Sequence, residues 1–283
     1  MIRLFVSDVD GTLLNENGQL EEGTIEAIRR FQREDGIFMV ATGRNPWELD
    51  EILSQIDDVV LNCVNGAVLC KKDGEVLIGN YVDERYVRLI EGYCRDKGIP
   101  VEYHGEEKTY TTCDRESFKK RAISTFGRRY SDPEKIFDKI YDVKQMRFGM
   151  RYEEIPCDKI FKIEALFMNE EERIFLNKRV KEEFRDCNIV SVEAMGNIEI
   201  TSALSGKARA IERFCELEGI DEAEVAVAGD SGNDIGMLKR YANSYAMANG
   251  DEETKKAARY LALSNREHGI EILINKICDE NES

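Results

Sequence analysis

The sequence predicts an α/β fold, a mainly parallel sheet with helices between its strands, interrupted by a second domain of α+β character. Three observations carry this reading. The apolar run Ile2–Val6 switches abruptly to Asp8-Val9-Asp10-Gly11-Thr12, as a buried strand does when it delivers polar residues to its carboxyl edge. Strand-like and helix-like segments then alternate at both ends of the chain, which implies crossover connections and a parallel sheet. The middle third loses that rhythm and shows antiparallel strand pairs.

Taken in order, Glu21–Glu34 places Ile25, Ile28 and Phe31 at helical spacing, and Gly36 ends it. Ile37–Ala41 is the next strand and leads to Thr42-Gly43-Arg44. Pro46 suits the first turn of a helix running to about Gln55. Val59–Leu61 is a third strand leading to Asn65-Gly66, and Ala67–Cys70 with Glu75–Ile78 form a hairpin. From Glu84 a helix is followed by short strands near Val101–Tyr103 and Lys108–Thr112. A helix from about Asp114 precedes a charged, less regular stretch to about Val143. Strands are expected at Met146–Met150 and Lys159–Met168, a helix at Glu170–Arg185, and a hairpin of Asn188–Ala194 and Asn197–Thr201 turning at Met195-Gly196. The α/β rhythm resumes with helix Lys207–Glu218 and strand Val225–Ala228, which ends at Gly229-Asp230-Ser231-Gly232-Asn233-Asp234. A helix to Arg240, strand Ser244–Ala248, helix Glu252–Ala258, strand Tyr260–Leu263 and helix Gly269–Ile277 close the chain. The domains are placed at 1–83 with 191–283, and at 84–190.

Composition excludes several functions. The 283 residues suffice for a full core and one further domain, and 42% hydrophobic content with 4 Pro indicates a folded protein. A net charge of −16 speaks against unspecific nucleic-acid binding and against anionic membranes. The 8 Cys show no C-x-x-C pair and read as reduced thiols of a cytoplasmic protein. Only His104 and His268 occur, too few for a His-based zinc site or a Ser-His-Asp triad. A core strand at the N-terminus leaves no room for a signal peptide, and no apolar run reaches the roughly 18 residues of a membrane span. A calcium loop starting at Asp8 would need Gly at its sixth position and Glu at its twelfth, where Leu13 and Gln19 stand. No Walker-type phosphate loop occurs.

Polar residues at strand ends or helix starts recur at Asp8/Asp10, Thr42, Lys207 and Asp230/Asn233/Asp234. Each alone reads as a cap or a turn, or in the case of Lys207 as a solvated residue near a helix start. The strings Asp8–Thr12, Thr42–Arg44, Asn65–Ala67, the single Lys207 and Gly229–Asp234, in this order and with this insertion, resemble the haloacid dehalogenase-like (HAD) superfamily, in its Cof-type branch with an α+β cap. One departure is local: Gly206 precedes Lys207 and Ala208 follows it, whereas the family places Gly after the Lys.

The resemblance implies a Rossmann-like parallel-sheet core with an inserted α+β cap, an active site between them, and Mg²⁺-dependent hydrolysis of a small phosphorylated metabolite. It implies Asp8 as the nucleophile that forms an aspartyl-phosphate and Asp10 as the acid and base. Thr42 and Lys207 would hold the phosphoryl oxygens. Asp8, the Asp10 carbonyl and Asp230 would bind Mg²⁺, with Asp234 in support. Gly11, Gly43, Arg44, Asn65 and Asn233 fall near the substrate. A phosphomutase using the same intermediate, or a non-catalytic phospho-ligand sensor, are the alternatives. A monomer or small homo-oligomer is expected. The basic stretch Lys119-Lys120-Arg121 with Arg128-Arg129 reads as a solvated face, Trp47 as packing, and His104 as a cap residue without a substrate role, contact with substrate being the alternative.

Overall fold

A computed structural model describes residues 1–125, 132–143, 145–192 and 196–282. Arg128, Arg129 and the turn residue Met195 lie outside the described residues. Two compact units emerge: Met1–Gly79 with Ser205–Ser283, and Asn80–Leu204.

The first unit opens with β1 (Leu4–Ser7), α1 (Glu22–Arg33) and β2 (Ile37–Ala41), then β3 (Val60–Cys63), β4 (Val68–Lys71) and β5 (Val76–Gly79). No helix runs from Pro46 to Gln55. A single turn, Pro46–Glu48, is closed by the Glu48 carboxylate on the Asn45 N–H (2.7 Å), and irregular turns follow. Bonds there alternate between four-residue and three-residue spans (Leu53 to Leu49, Ile56 to Leu53), which bury Leu49, Leu53 and Ile56 without a regular helix.

The second unit contains α2 (Glu84–Arg95), β6 (Val101–Gly105), β7 (Thr109–Tyr110), α3 (Arg115–Thr125), α4 (Pro133–Val143), β8 (Ile160–Leu166), α5 (Glu170–Glu183), β9 (Cys187–Val192) and β10 (Asn197–Ser202). Its sheet runs β7-β6-β8-β10-β9 with antiparallel pairing throughout. Tyr103, Ile163, Ala165, Ile198 and Ile200 form a core with Val87 and Ile90 of α2 and Leu176 and Val180 of α5. The opposite register positions are polar: Glu102 lies across from Glu164, and His104 across from Lys162. Lys162 is ion-paired with Glu164, and His104 is fully buried with Nδ1 3.2 Å from the Thr109 hydroxyl.

Three expectations are corrected in this unit. The charged stretch before Val143 contains α4, started by Pro133 in its first turn and by the Asp132 carboxylate on the Lys135 N–H (3.1 Å). Phe137 and Tyr141, four residues apart, pack on Phe118 of α3. Met146–Met150 forms no strand and contributes a single bridge, Arg147 to Tyr110. The hairpin β9–β10 belongs whole to this unit, because β10 pairs with β8 from Asn197↔Leu166 to Thr201↔Lys162. A boundary at 190/191 cuts through that hairpin, and the chain leaves the unit after Leu204.

The first unit is completed by α6 (Lys207–Glu218), β11 (Val225–Gly229), α7 (Ile235–Arg240), β12 (Asn243–Met247), α8 (Glu252–Ala257), β13 (Tyr260–Ala262) and α9 (Gly269–Glu282). The eight-stranded sheet runs β13-β12-β11-β1-β2-β3-β4-β5, parallel from β13 to β3 and antiparallel at β4 and β5. β1 and β11 are buried at every position because helices cover both faces. Leu4, Val6, Met39 and Val227 meet Ile211, Phe214 and Met237 of α6 and α7. On the other face Phe5 stacks on Phe38 and meets Phe31 of α1 edge-on. In this frame β1, β2, β3 and β11 all end at one edge, where Asp8, Thr42, Val64 and Asp230 begin the loops.

Candidate active site

Asp8 is fixed at that edge by its N–H on the Ala228 carbonyl (2.9 Å), a ladder bond carried one residue past β1. The chain then curls, with the Leu13 and Leu14 N–H groups returning to the Asp8 and Val9 carbonyls. Gly11 is required here twice over. Its φ is +82°, and a Cβ would sit 2.4 Å from the Asp230 carboxylate. Thr12 donates to Asp230 Oδ1 (2.9 Å), tying the first loop to the loop after β11.

Lys207, the first residue of α6, is buried and places Nζ 2.7 Å from both Asp8 Oδ1 and Asp234 Oδ1. Its backbone carbonyl accepts from the Asn62 amide within β3 (3.0 Å). The other Asp234 oxygen accepts from the Asp230 and Ser231 N–H groups, both at 3.0 Å. Asp234 thus braces Lys207 with one oxygen and the 230–231 turn with the other. Asp8, Asp230 and Asp234 each offer an oxygen within 4.8 Å of the others. Three carboxylates face one ammonium, leaving an excess of negative charge.

Electrostatics record that excess. Burial raises the Asp8 carboxyl from 3.8 to about 7; the Lys207 ammonium opposes the rise, and Asp234 and Asp230 add to it. Burial pulls Lys207 down, but Asp8 and Asp234 more than offset this and hold the ammonium above its ordinary value. Burial also raises Asp230, against the Thr12 hydrogen bond. Oxygen donors clustered around uncompensated charge suit a hard divalent cation such as Mg²⁺.

The remaining residues form a connected rim. The Thr42 hydroxyl accepts from the Arg44 N–H (3.2 Å), leaving its own O–H to donate elsewhere. Val64, Asn65 and Gly66 follow β3 with φ of +51°, +52° and +88°. A β-branched residue at positive φ is strained, and the loop is pinned there by Val64 N–H on the Arg44 carbonyl and Asn65 N–H on the Thr42 carbonyl, both 2.9 Å. Gly66 admits the Gly206 backbone, whose carbonyl oxygen a Cβ would meet at 2.3 Å. Asn65 accepts from the Asn233 amide (3.0 Å), and Gly43 faces the Asn65 side chain. Arg44 turns to Asp10: Nε donates to Oδ2 (2.8 Å) and Nη2 to Oδ1 (2.6 Å). Asp10 is exposed where Asp8 is buried, so two carboxylates two residues apart occupy opposite environments.

The structure therefore joins Asp8, Lys207, Asp230 and Asp234 in one cluster, Asp10 with Arg44, and Asn65 with Asn233. It links Thr42 to the rest through backbone. Sequence reasoning missed Asn62, Thr12 as a brace, and Asn249. Asn249 donates to the Gly11 carbonyl (2.7 Å) and accepts from the Asn265 N–H (3.0 Å). Its signal was present, since Asn249 follows β12 at the same sheet edge. Asn62 was signalled as an amide inside an apolar strand.

A haloacid dehalogenase-like hydrolase family model matches residues 5–274. The chain belongs to the haloacid dehalogenase-like hydrolases. It is an enzyme of the HAD phosphatase type, with the α/β fold of that family. A 5-amino-6-(5-phospho-D-ribitylamino)uracil phosphatase of Bacillus subtilis is 24% identical over 95% of this chain and 96% of its own length. A phosphatase of the same name from Escherichia coli is 24% identical over 98% and 96%. The solved structure of a HAD subclass IIB sugar phosphatase superposes with a TM-score of 0.72 at 24% identity, covering 97% of this chain and 98% of that one. No helix among the described residues is long and apolar enough to cross a membrane.

Proposed function

We propose that this HAD hydrolase is a Mg²⁺-dependent phosphatase of small phosphorylated metabolites, working through an aspartyl-phosphate on Asp8. The observation that carries the proposal is the buried Asp8 carboxylate bonded to Lys207 beside Asp230 and Asp234. A sugar phosphate or a phosphorylated cofactor of the ribitylaminouracil kind is the substrate class, by likeness to the relatives named above.

Asp8 attacks phosphorus, the bond from phosphorus to the ester oxygen breaks, and Asp10 gives that oxygen a proton. Asp10 then takes a proton from water, whose oxygen attacks the aspartyl-phosphate and restores Asp8. Lys207 and the Thr42 hydroxyl hold the phosphoryl oxygens as charge moves onto them. Asp8, the Asp10 carbonyl and Asp230 would hold Mg²⁺. Asp234, whose oxygens are both engaged by protein donors, supports from behind. When bound, Mg²⁺ supplies neutralisation of the anionic charge shared by Asp8 and the phosphoryl group. Asn65 and Asn233 border the phosphoryl position. The unit Asn80–Leu204, with its own core, is assigned the choice of substrate.

Free thiols at all eight cysteines support a cytoplasmic setting. The net charge of −16 argues against nucleic-acid and anionic-membrane partners, and the protein is proposed as a monomer or small homo-oligomer. The test is phosphate release from a panel of sugar phosphates and 5-amino-6-(5-phospho-D-ribitylamino)uracil with Mg²⁺. Release abolished by Asp8→Asn and by EDTA is expected. Release that survives Asp8→Asn sinks the nucleophile assignment, and isomerised sugar phosphate without release identifies a mutase instead.

A further inference from the structure

The Arg44 guanidinium could serve the substrate or the enzyme's own Asp10, and the geometry separates these roles. We propose that Arg44 is a positioning residue that sets the plane and direction of the Asp10 carboxylate, rather than a contact for the phosphoryl group. This rests on the phosphatase reading above.

Two guanidinium nitrogens each take a different oxygen of one carboxylate, at 2.8 and 2.6 Å. Such a fork fixes orientation as well as distance, which a lysine ammonium would not do. Among the described residues no other side chain bonds the Asp10 carboxylate. Its side chain is 58% exposed, so without the fork it would sample several rotamers. An acid and base that must reach one ester oxygen and then one water loses rate with every wrong rotamer.

The root of the fork is rigid too. The Arg44 N–H is held by Thr42 Oγ1, and its carbonyl accepts from Val64, the first residue of the left-handed run. Two of the four lone-pair positions of Asp10 are taken by Arg44, and the remaining two stay available for proton exchange. An arginine engaged in this way is not also offering its fork to phosphate.

The test compares wild type, R44Q, R44K, D10N and D10N/R44Q with Mg²⁺ on two probes. One is p-nitrophenyl phosphate, whose leaving group needs little protonation, and the other is glycerol phosphate, whose alkoxide needs it. R44Q is expected to lower kcat on glycerol phosphate by about 10- to 100-fold, within the roughly 10²–10⁴-fold that a positioned acid supplies. KM should stay within about threefold, and the loss on p-nitrophenyl phosphate should be several times smaller. R44K, which retains the charge and lacks the fork, should resemble R44Q, and D10N/R44Q should be no slower than D10N.

Losses that multiply in the double variant, or a raised KM at unchanged kcat, would overturn the positioning role and make Arg44 a substrate contact. Wild type silent on both probes would overturn the phosphatase reading and the Arg44 role with it.

Discussion

At the scale of single residues, the site stores an electrostatic conflict that a bound cation would resolve. Asp8 titrates from 3.8 upward to about 7 because burial and two neighbouring carboxylates outweigh Lys207. A raised acid is neutral in both states below about pH 4 and costs nothing there. As pH rises towards 7 the unfolded chain ionises first, so this group's contribution to stability falls, and above 7 the loss is complete. Mg²⁺ should therefore raise the melting temperature more at pH 8 than at pH 5.5, read by differential scanning calorimetry. An equal rise at both values would show that Asp8 does not titrate in this window. In the metal-free protein at pH 8, Asp8→Asn should raise the melting temperature while removing activity, a trade of stability against function. Lys207→Met should lower the melting temperature and also remove activity, leaving Asp8 and Asp234 buried and unbalanced at a cost of about 3–5 kcal/mol in urea unfolding.

At the scale of elements, the loop after β3 shows how close packing builds the site. Gly66 and Gly74 both sit at positive φ, +88° and +93°, but only Gly66 has another backbone against it. Gly74→Ala should cost about 1 kcal/mol and leave turnover unchanged. Gly66→Ala should cost at least about 2 kcal/mol more and reduce turnover, because the displaced Gly206 carries Lys207 with it. Matching urea midpoints for the two variants would refute this.

The same loop marks the limit of what a sequence discloses. β1, β2 and β11 were legible because they are apolar runs ended by polar residues, so Asp8, Thr42 and Asp230 could be placed at one edge. α4 carries Ile136, Phe137, Ile140 and Tyr141 at helical spacing, a pattern obscured by the charged residues interleaved with them. The Asp10–Arg44 fork spans 34 residues and depends on how two loops curl, which no local pattern encodes. Asp234 reads from the sequence as a metal ligand or its support, and the hydrogen bonds to both of its oxygens favour the supporting role proposed above.

At the scale of the whole molecule, each unit has a core of its own. Residues 80–204 expressed alone should unfold cooperatively, with circular dichroism and fluorescence transitions coinciding, and Mg²⁺ should not move that transition. A broad, non-cooperative melt would mean that this unit depends on the rest of the chain.

The sheet order has a consequence for synthesis. β1 lies between β2 and β11, yet β11 begins only at residue 225. On a ribosome moving at about 5–20 residues per second, the first strand waits on the order of ten seconds or longer for that neighbour, with an apolar edge unpaired. Meanwhile 80–204 has emerged in full and can collapse on its own. The nascent chain therefore finishes its inserted unit before its active site can exist, and the interval before β11 arrives is when a chaperone would find the most to hold.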